Sequence, residues 1–196
     1  SMETKAERVV FLKGRKTILR PPNKQTDLPK CLKWINDPEV SQYLSVYLPV
    51  SFVGEEAWFD RLYKSESDIP LAIETLEGEF IGVMGLHNIK WKDGTATTGA
   101  LIGEKDYWGK GFGGDAKMTL LDYAFNSLNL RKICSGVYDF NKRSLNYSLR
   151  CGYEIEGTLK RHFYKKGRYC DQIMLAVFKE KWLPLWRKYQ KTGSLK

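Results

Sequence analysis

The sequence is poor in the residues from which metal sites and disulfide frameworks are built. Its four cysteines form no CxxC pair, and it has only two histidines, so the usual spacing of zinc ligands is missing. We therefore expect reduced thiols and no bound metal. No apolar run approaches the ~18 residues that cross a bilayer, and residues 2–8 alternate in charge where a signal peptide has an apolar core. These absences predict a cytoplasmic protein without a membrane partner.

Long basic runs are also missing, although the formal net charge is +9. Lysine and arginine are scattered in short clusters, and none of the sequence signatures of nucleic-acid binding is present. We expect no nucleic-acid partner and interpret the charge as solvated surface that also attracts a polyphosphate. The 196 residues contain no repeat and no linker, which predicts one compact domain.

Hydrophobic periodicity, glycine turns and helix caps predict the element order β α α β β β α β α β β α. The predicted strands are 16–20, 71–75, 80–89, 96–102, 132–138, 153–163 and 169–178, and the predicted helices are 27–36, 51–64, 113–128, 141–150 and 179–189. Asp27 is the predicted N-cap of the first helix. The helix between strands 96–102 and 132–138 makes these two strands parallel neighbours. The predicted fold class is α+β, with helices flanking a mixed, mostly antiparallel sheet.

A glycine cluster at 109–114 separates a predicted strand from a predicted helix. Gly109, Gly111, Gly113 and Gly114 lack Cβ atoms, so the backbone can adopt positive φ and bring its N–H groups close to an anion. The N-terminus of the next helix adds to that attraction. Gly109, Gly111 and Gly114 also satisfy the dinucleotide pattern GxGxxG, but three antiparallel strands before the loop do not suit a doubly wound sheet. The cluster predicts a phosphorylated cofactor, and the alternative is a turn needed only for geometry.

Several motifs in this order resemble a known family. They are WGKGFG at 108–113, NKRS at 141–144, CGY at 151–153, EGTL at 156–159 and GRYxD at 167–171. The chain is similar to the GNAT superfamily of acetyl-CoA-dependent N-acetyltransferases, and within it to the RimJ/RimL-like, spermidine-acetyltransferase-like branch. The resemblance covers 16–178, the predicted N-acetyltransferase domain, between an N-terminal segment, 1–15, and a C-terminal helical tail, 179–196. It implies a cofactor cleft between two splayed parallel central strands.

The resemblance also implies which residues bind acetyl-CoA. The backbone of Leu101, Ile102 and Gly103 would pair with the pantetheine arm, and the amides of 109–114 would hold the pyrophosphate. The implied cofactor-binding residues are Leu101, Ile102, Gly103, Trp108, Gly109, Lys110, Gly111, Phe112, Gly113, Gly114, Asn141 and Ser144. Trp108 stands where the general motif carries Gln or Arg. Lys110, Lys142 or Arg143 could pair with the outer phosphates.

The implied reaction is direct attack of a neutral amine on the acetyl thioester, with a backbone N–H of strand 96–102 polarising the carbonyl. A base must take the proton of the amine, and an acid helps the thiolate to leave. Related enzymes often have a tyrosine acid seven residues after the motif asparagine, where this chain has Ser148. The predicted catalytic residues are Ser148 together with the base candidates His87 and Glu74; Asp171 is a further base candidate, with anchoring of the last hairpin as its alternative role.

The acceptor is predicted only as a primary amine, either a small molecule or a peptide N-terminus. Polyamines are disfavoured because the net charge is +9 and acidic residues are missing from the relevant strand positions. Two other functions stay open: a catalytically idle acyl-CoA-binding module, suggested by Ser148, and a dinucleotide-binding protein. Trp182 and Trp186 in the tail could form a homodimer contact or pack on their own sheet.

Overall fold

The computed structural model describes residues 8–196. Its strands are β1 Leu12–Lys13, β2 Thr17–Arg20, β3 Ile69–Thr75, β4 Phe80–Lys90, β5 Thr95–Ile102, β6 Lys132–Tyr138, β7 Glu154–Lys165 and β8 Arg168–Phe178. Its α-helices are α1 Lys24–Ile35, α2 Pro38–Ser41, α3 Phe52–Lys64, α4 Phe112–Asp122, α5 Lys142–Arg150 and α6 Lys179–Thr192. Of the predicted N-terminal segment, 1–15, residues 1–7 lie outside the described range. The remainder contributes β1, which the sequence analysis missed.

One sheet contains all of these strands in the order β1-β2-β3-β4-β5-β6-β8-β7. Neighbouring strands are antiparallel except β5 and β6, which α4 joins as a crossover. The predicted mixed, mostly antiparallel sheet is therefore confirmed, as is its parallel central pair. Side chains of the central strands alternate between two cores, one on each face of the sheet. On β3, for example, Leu71 and Ile73 join the core that contains α4 and α6, and Ala72 joins the core under α1 and α3.

The parallel pair opens into a cleft after three residues. Thr95–Thr97 of β5 pair with Lys132–Cys134 of β6, and beyond that point the two strands have no further pairing. The next polar contact is from Thr98 Oγ1 to the Cys134 carbonyl, at 3.3 Å. The C-terminal half of β5 consequently keeps a backbone edge without a strand partner, at the place where the glycine loop turns into α4.

One local prediction is corrected by a long-range contact. The N-cap of α1 is Asn23, whose side chain accepts from Gln25 and Thr26, and not Asp27. Asp27 is buried because its carboxylate forms a bidentate pair with Arg20, with both N–O distances 2.8 Å. Both residue types cap helices well, so only the partner from β2 distinguishes them.

The tail helix α6 packs on its own domain. Trp182 is fully buried, its ring centroid lies 5.2 Å from that of Phe125, and it stacks on Trp186. Of the two roles considered for the tail tryptophans, Trp182 takes the intramolecular one because its apolar surface is already covered.

Within residues 8–196, no helix has the length and apolar composition needed to cross a bilayer. The same part of the chain holds no group of three His, Cys, Asp or Glu side chains arranged for a metal ion.

Candidate active site

The glycine loop forms a backbone cradle at the start of α4. Gly109 and Gly111 have φ of +72° and +88°, in the left-handed region that only glycine adopts without strain. Gly111 is the N-cap of α4 and carries no side chain that could occupy the first-turn N–H groups. No acceptor within residues 8–196 binds the N–H groups of 109–114, so these donors suit the oxygen atoms of a diphosphate.

A buried carboxylate fixes this cradle to the rest of the fold. Asp115, in the first turn of α4, accepts hydrogen bonds from the backbone N–H groups of Arg15, Lys16 and Thr17 at 2.9 to 3.0 Å. The hydroxyl groups of Thr17 and Tyr189 also donate to it. The helix N-terminus therefore has a fixed position relative to β2 and α6, as a preorganised anion site requires.

A groove of about 570 Å³ runs from this cradle along the end of β5 to α5. Ten of the twelve predicted cofactor-binding residues line it: Leu101, Ile102, Trp108, Gly109, Gly111, Phe112, Gly113, Gly114, Asn141 and Ser144. Arg143 lines it too, with its guanidinium 4.1 Å from the centre of the Trp108 ring. Lys110 is exposed outside the groove, and its carbonyl accepts from Lys16 Nζ at 2.7 Å.

Gly103 is the other residue that does not line the groove. Its N–H donates to Ile81 O at 2.8 Å across the pair of β4 and β5, so it is not a donor for a cofactor. A Cβ on Gly103 would lie 2.0 Å from the Trp34 ring. Gly103 is thus needed for packing, and its pairing with the pantetheine arm stays a prediction in which its N–H takes no part.

Strand alternation determines which backbone groups the open edge offers. Gly103 and Leu101 direct their N–H and C=O groups to β4, so Ala100 and Ile102 direct theirs to the cleft. The indole N–H of Trp108 donates to Ile102 O at 2.6 Å. Ala100 and the N–H of Ile102 remain for the amide-rich arm. Leu101, predicted to pair through its backbone, instead contributes its side chain to the cleft wall.

A second cavity, of about 680 Å³, lies on the α1 and α3 face of the sheet. Its walls come from α1, the loop at 43–51, α3 and the diverging ends of β5 and β6. Five residues line both this acceptor cavity and the cofactor groove: Tyr43, Ala100, Leu101, Asn141 and Ser144. The two spaces therefore meet beside the open edge of β5.

Glu55 of α3 is a buried carboxylate in the acceptor cavity. It is 3% exposed, and no residue in 8–196 donates to it or pairs with it. Burial raises the pKa of its carboxyl. The other carboxylate of the lining, Asp27, is already paired with Arg20. Glu55 was not identified from the sequence, although an acid beside Trp58 and Phe59 on a helix with an apolar side is the kind of signal that could have marked it.

The predicted bases occupy different environments. His87 lines the acceptor cavity, and its Nδ1 lies 3.0 Å from Asp68 Oδ1. A proton on Nδ1, held by Asp68, leaves Nε2 as an acceptor. Hydrogen bonds from Ser65 and His87 lower the pKa of Asp68, which keeps it ionised.

Two other base candidates lie outside that cavity. The Glu74 carboxylate binds Arg20 at 2.5 Å and Arg8 at 2.9 Å, so its lone pairs serve a structural network. Asp171 accepts from the backbone of Arg161 at 2.8 Å within the last hairpin. The geometry favours His87 over both.

The third predicted catalytic residue, Ser148, is fully buried behind the cavity wall. Its Oγ accepts a hydrogen bond from Lys117 Nζ at 3.1 Å, and it is Lys117 that lines the cavity. Sequence reasoning missed Lys117. A lysine spaced four and seven residues before Leu121 and Ala124 falls on the apolar stripe of α4, and this signal could have identified it.

Comparison with known proteins agrees with this geometry. The model of the acetyltransferase (GNAT) domain matches residues 16–154, well over half of the chain. The chain belongs to the GNAT acetyltransferase family. Its N-acetyltransferase activity and its use of acetyl-CoA follow from that membership. The dinucleotide-binding alternative is thereby excluded.

Individual relatives cover most of the chain. An uncharacterized N-acetyltransferase, p20, of Bacillus licheniformis is 30% identical over 157 residues, which are 78% of this chain and 86% of that protein. Spermidine N(1)-acetyltransferase of Escherichia coli is 27% identical over 165 residues, 84% of this chain and 87% of that protein. The crystal structure of spermidine N-acetyltransferase from Vibrio cholerae, in complex with CoA and spermine, has a TM-score of 0.79 at 26% identity and covers 85% of this chain and 98% of its own.

Proposed function

We propose that acetyl-CoA lies in the groove and passes its acetyl group to a primary amine held in the acceptor cavity. The diphosphate would rest on the N–H groups of 109–114, and the pantetheine arm would follow the open edge of β5 at Ala100 and Ile102. The observation that carries the proposal is the meeting of groove and cavity at Ala100, Leu101 and Asn141. Donor and acceptor can occupy them together, as direct transfer requires.

Glu55 would bind the acceptor as an ammonium ion. A buried carboxylate without a partner gains a charge-assisted hydrogen bond when a cationic amine enters. The walls around it are apolar and aromatic, with Trp34, Trp58 and Phe59 among them. This supports a compact amine with an apolar body, either a small molecule or the first residue of a peptide. Spermidine fits less well, because further ammonium groups would find no second unpaired carboxylate in the cavity lining.

His87 would then take a proton from the amine. Nε2 is its accepting nitrogen when Asp68 holds Nδ1, and an imidazole nitrogen with a free lone pair can act as a general base. Attack needs the neutral amine, so the ion pair with Glu55 would serve binding and the histidine would serve activation.

Calorimetric titration with acetyl-CoA tests the cofactor part. The wild type should bind at micromolar concentrations, and Gly111→Asp should not, because the added carboxylate repels the diphosphate and the φ of +88° strains any residue other than glycine. Release of CoA thiol over a panel of amines that includes spermidine and small peptides tests transfer. Binding without turnover across the panel would favour the idle acyl-CoA-binding module.

Three finer statements belong to the same proposal. The motifs at 108–113 and 141–144 support the RimJ/RimL-like branch. Cys151 supports a reducing, cytoplasmic setting, because burial raises the pKa of its thiol to about 12 and no cysteine in the described chain is paired. A homodimer would have to use a surface other than Trp182, and light scattering across a concentration series tests it.

A further inference from the structure

Lys117 extends from α4 into the opening between the two parallel strands. It is 1% exposed, and it lines the acceptor cavity together with Thr98 and Gly99 of β5 and Ser135 and Gly136 of β6. This is the place where β5 and β6 have separated, and the next residue of β5, Ala100, is one of those at which the cofactor groove meets the cavity. A group at this position is close to the path of the thioester.

The surroundings of its ammonium contain no counter-ion. Ser148 Oγ accepts its one hydrogen bond, at 3.1 Å, and the rings of Tyr153 and Tyr147 lie 4.7 and 5.2 Å from Nζ. No carboxylate in residues 8–196 forms an ion pair with it. The titratable groups that face it are Tyr147, Cys151 and Tyr153, and burial raises the pKa of each, so they are uncharged at neutral pH.

Burying an ammonium that has only one hydrogen bond lowers the free energy of unfolding. Burial lowers the pKa of Lys117 to about 8, close to the ~8.5 of a simple thiol. An acid is most effective when its pKa is near those of the proton acceptor and the solution. Neither the packing of α4 nor the binding of acetyl-CoA on the glycine loop requires a charge here.

We propose that the Lys117 ammonium donates a proton to the departing sulfur of CoA and that Ser148 is the positioning residue that orients it. The proposal rests on the function proposed above. It assigns the role of general acid to Lys117 of α4. Ser148 lies behind the cavity wall and does not touch the reacting atoms.

The transfer balances without another reactant. The amine nitrogen forms a bond to the acetyl carbon, and the bond from that carbon to sulfur breaks with its electron pair left on sulfur. Sulfur takes a proton from Lys117 and leaves as the thiol. The acceptor nitrogen, which enters as the ammonium ion at Glu55, loses two protons: His87 takes the first before attack and passes it to solvent, and it takes the second after the bond to carbon has formed. The neutral Lys117 amine and protonated His87 return to their starting states by exchange with solvent.

Tyr147, which lines the cofactor groove, is the other possible donor and the less suitable one. Its ring packs on the first turn of α4, 3.4 Å from where a Cβ on Gly113 would lie, and its hydroxyl accepts from Ser144 Oγ at 3.4 Å. Burial raises its pKa, which makes it a weaker acid at neutral pH. Serine at 148 is small enough to leave the Lys117 side chain a place beside it.

The experiment titrates the thiol of bound CoA, which needs no acceptor amine. Thiolate absorbance of the complex is followed against pH, with the complex of desulfo-CoA as the reference that subtracts tyrosine ionisation. A cation within about 4 to 6 Å lowers the pKa of an acid by roughly one to three units. We expect the bound thiol of the wild type to titrate below free CoA by that amount. Lys117→Met should remove the shift, while Lys92→Met, which deletes a lysine from an exposed turn, should keep it.

The outcomes separate the two levels of the proposal. A wild-type thiol pKa equal to or above that of free CoA would overturn the role of Lys117, whether or not Lys117→Met folds. An equal shift in wild type and Lys117→Met would overturn it as well, with acetyl-CoA binding intact. Failure of the folded wild type to bind CoA would instead remove the proposed function, and this assignment with it.

Discussion

Two oppositely charged residues are buried two positions apart in α4, and their surroundings differ. Asp115 receives five hydrogen bonds, three of them from the backbone of 15–17. Lys117 has one, from its ammonium to Ser148. A buried charge with all its partners holds chain segments together, whereas one short of partners stores free energy that a ligand or a reaction can release. The first turn of α4 therefore fixes the position of the helix, and the second carries the group that we propose takes part in the reaction.

Replacing Asp115 should have the largest effect. Asp115→Ala leaves the N–H groups of 15–17, that of Thr17 fully buried, without their acceptor, which we expect to cost about 3 to 5 kcal/mol of unfolding free energy. Urea denaturation followed by circular dichroism measures it. Asp106→Ala, at an exposed position before the glycine loop, is the matched control and should change stability by less than about 0.5 kcal/mol. A loss for Asp115→Ala as small as that of the control would contradict the comparison.

Replacing Lys117 should act in the opposite direction. The pKa of Lys117 falls from 10.5 unfolded to about 8 folded, so between these values the unfolded chain binds more protons and stability rises with pH. Below pH 8 the charge opposes folding by on the order of 3 kcal/mol. Lys117→Met keeps the side-chain volume and should be more stable than the wild type at pH 7 by up to this amount, with the advantage gone near pH 10.5.

Denaturation at several pH values tests this. Equal slopes of stability against pH from 8 to 10.5 in wild type and Lys117→Met would mean that Lys117 does not titrate in that window. A less stable Lys117→Met at pH 7 would mean that the ammonium contributes to the fold, as Asp115 does.

Removing the single partner of Lys117 should have a smaller effect. Ser148→Ala takes away a hydrogen bond to a charged group, worth about 1.5 to 3 kcal/mol, and should lower the pKa of Lys117 further below 8. Carbon-13 NMR of labelled lysine side chains reads that pKa directly. Thr192→Ala, which removes a hydroxyl that bonds its own helix at the surface, serves as control. An unchanged Lys117 pKa in Ser148→Ala would show that Ser148 does not hold the ammonium.

The sequence was most informative where local chemistry determines structure. Glycine turns and strand periodicity predicted the meander of β3, β4 and β5, and the crossover predicted their parallel neighbour β6. The glycine loop was predicted because positive φ is a property of the local backbone, and Gly109 and Gly111 are the residues that adopt it. The helix predicted at 141–150 is α5, and Asn141 is its N-cap, with a side chain that accepts from Ser144 N.

The roles of several residues depend on contacts between distant parts of the chain, which the sequence alone does not show. Asp27 and Asn23 are equally good helix caps by residue type, and only the ion pair with Arg20 shows that Asp27 has another role. Gly103 was assigned to the cofactor by resemblance, and only the fold shows that its missing Cβ leaves room for the Trp34 ring. Lys117 and Glu55 came from different elements, and only the folded sheet shows that both face one cavity. Functional charges in buried places are therefore the part of the site that local patterns reveal least.

Glu55 extends the comparison to the acceptor. Like Lys117, it is a buried charge without an ion-pair partner in the described chain, but its partner would arrive with the substrate. Glu55→Gln should leave the fold as stable as the wild type, or more stable, because an uncompensated carboxylate is removed. KM for the amine should rise about tenfold, equivalent to ~1.4 kcal/mol of lost binding, with a smaller change in kcat. Glu56→Gln, at the half-buried next position of α3 where the carboxylate faces Lys24 at 3.4 Å and not the cavity, should change neither.

The same carboxylate predicts a pH dependence. Because burial raises the pKa of Glu55, wild-type KM should increase as pH falls through a range above that of an ordinary glutamate, and the KM of Glu55→Gln should not show this increase. An unchanged KM in Glu55→Gln, with the pH dependence retained, would place the ammonium elsewhere in the cavity.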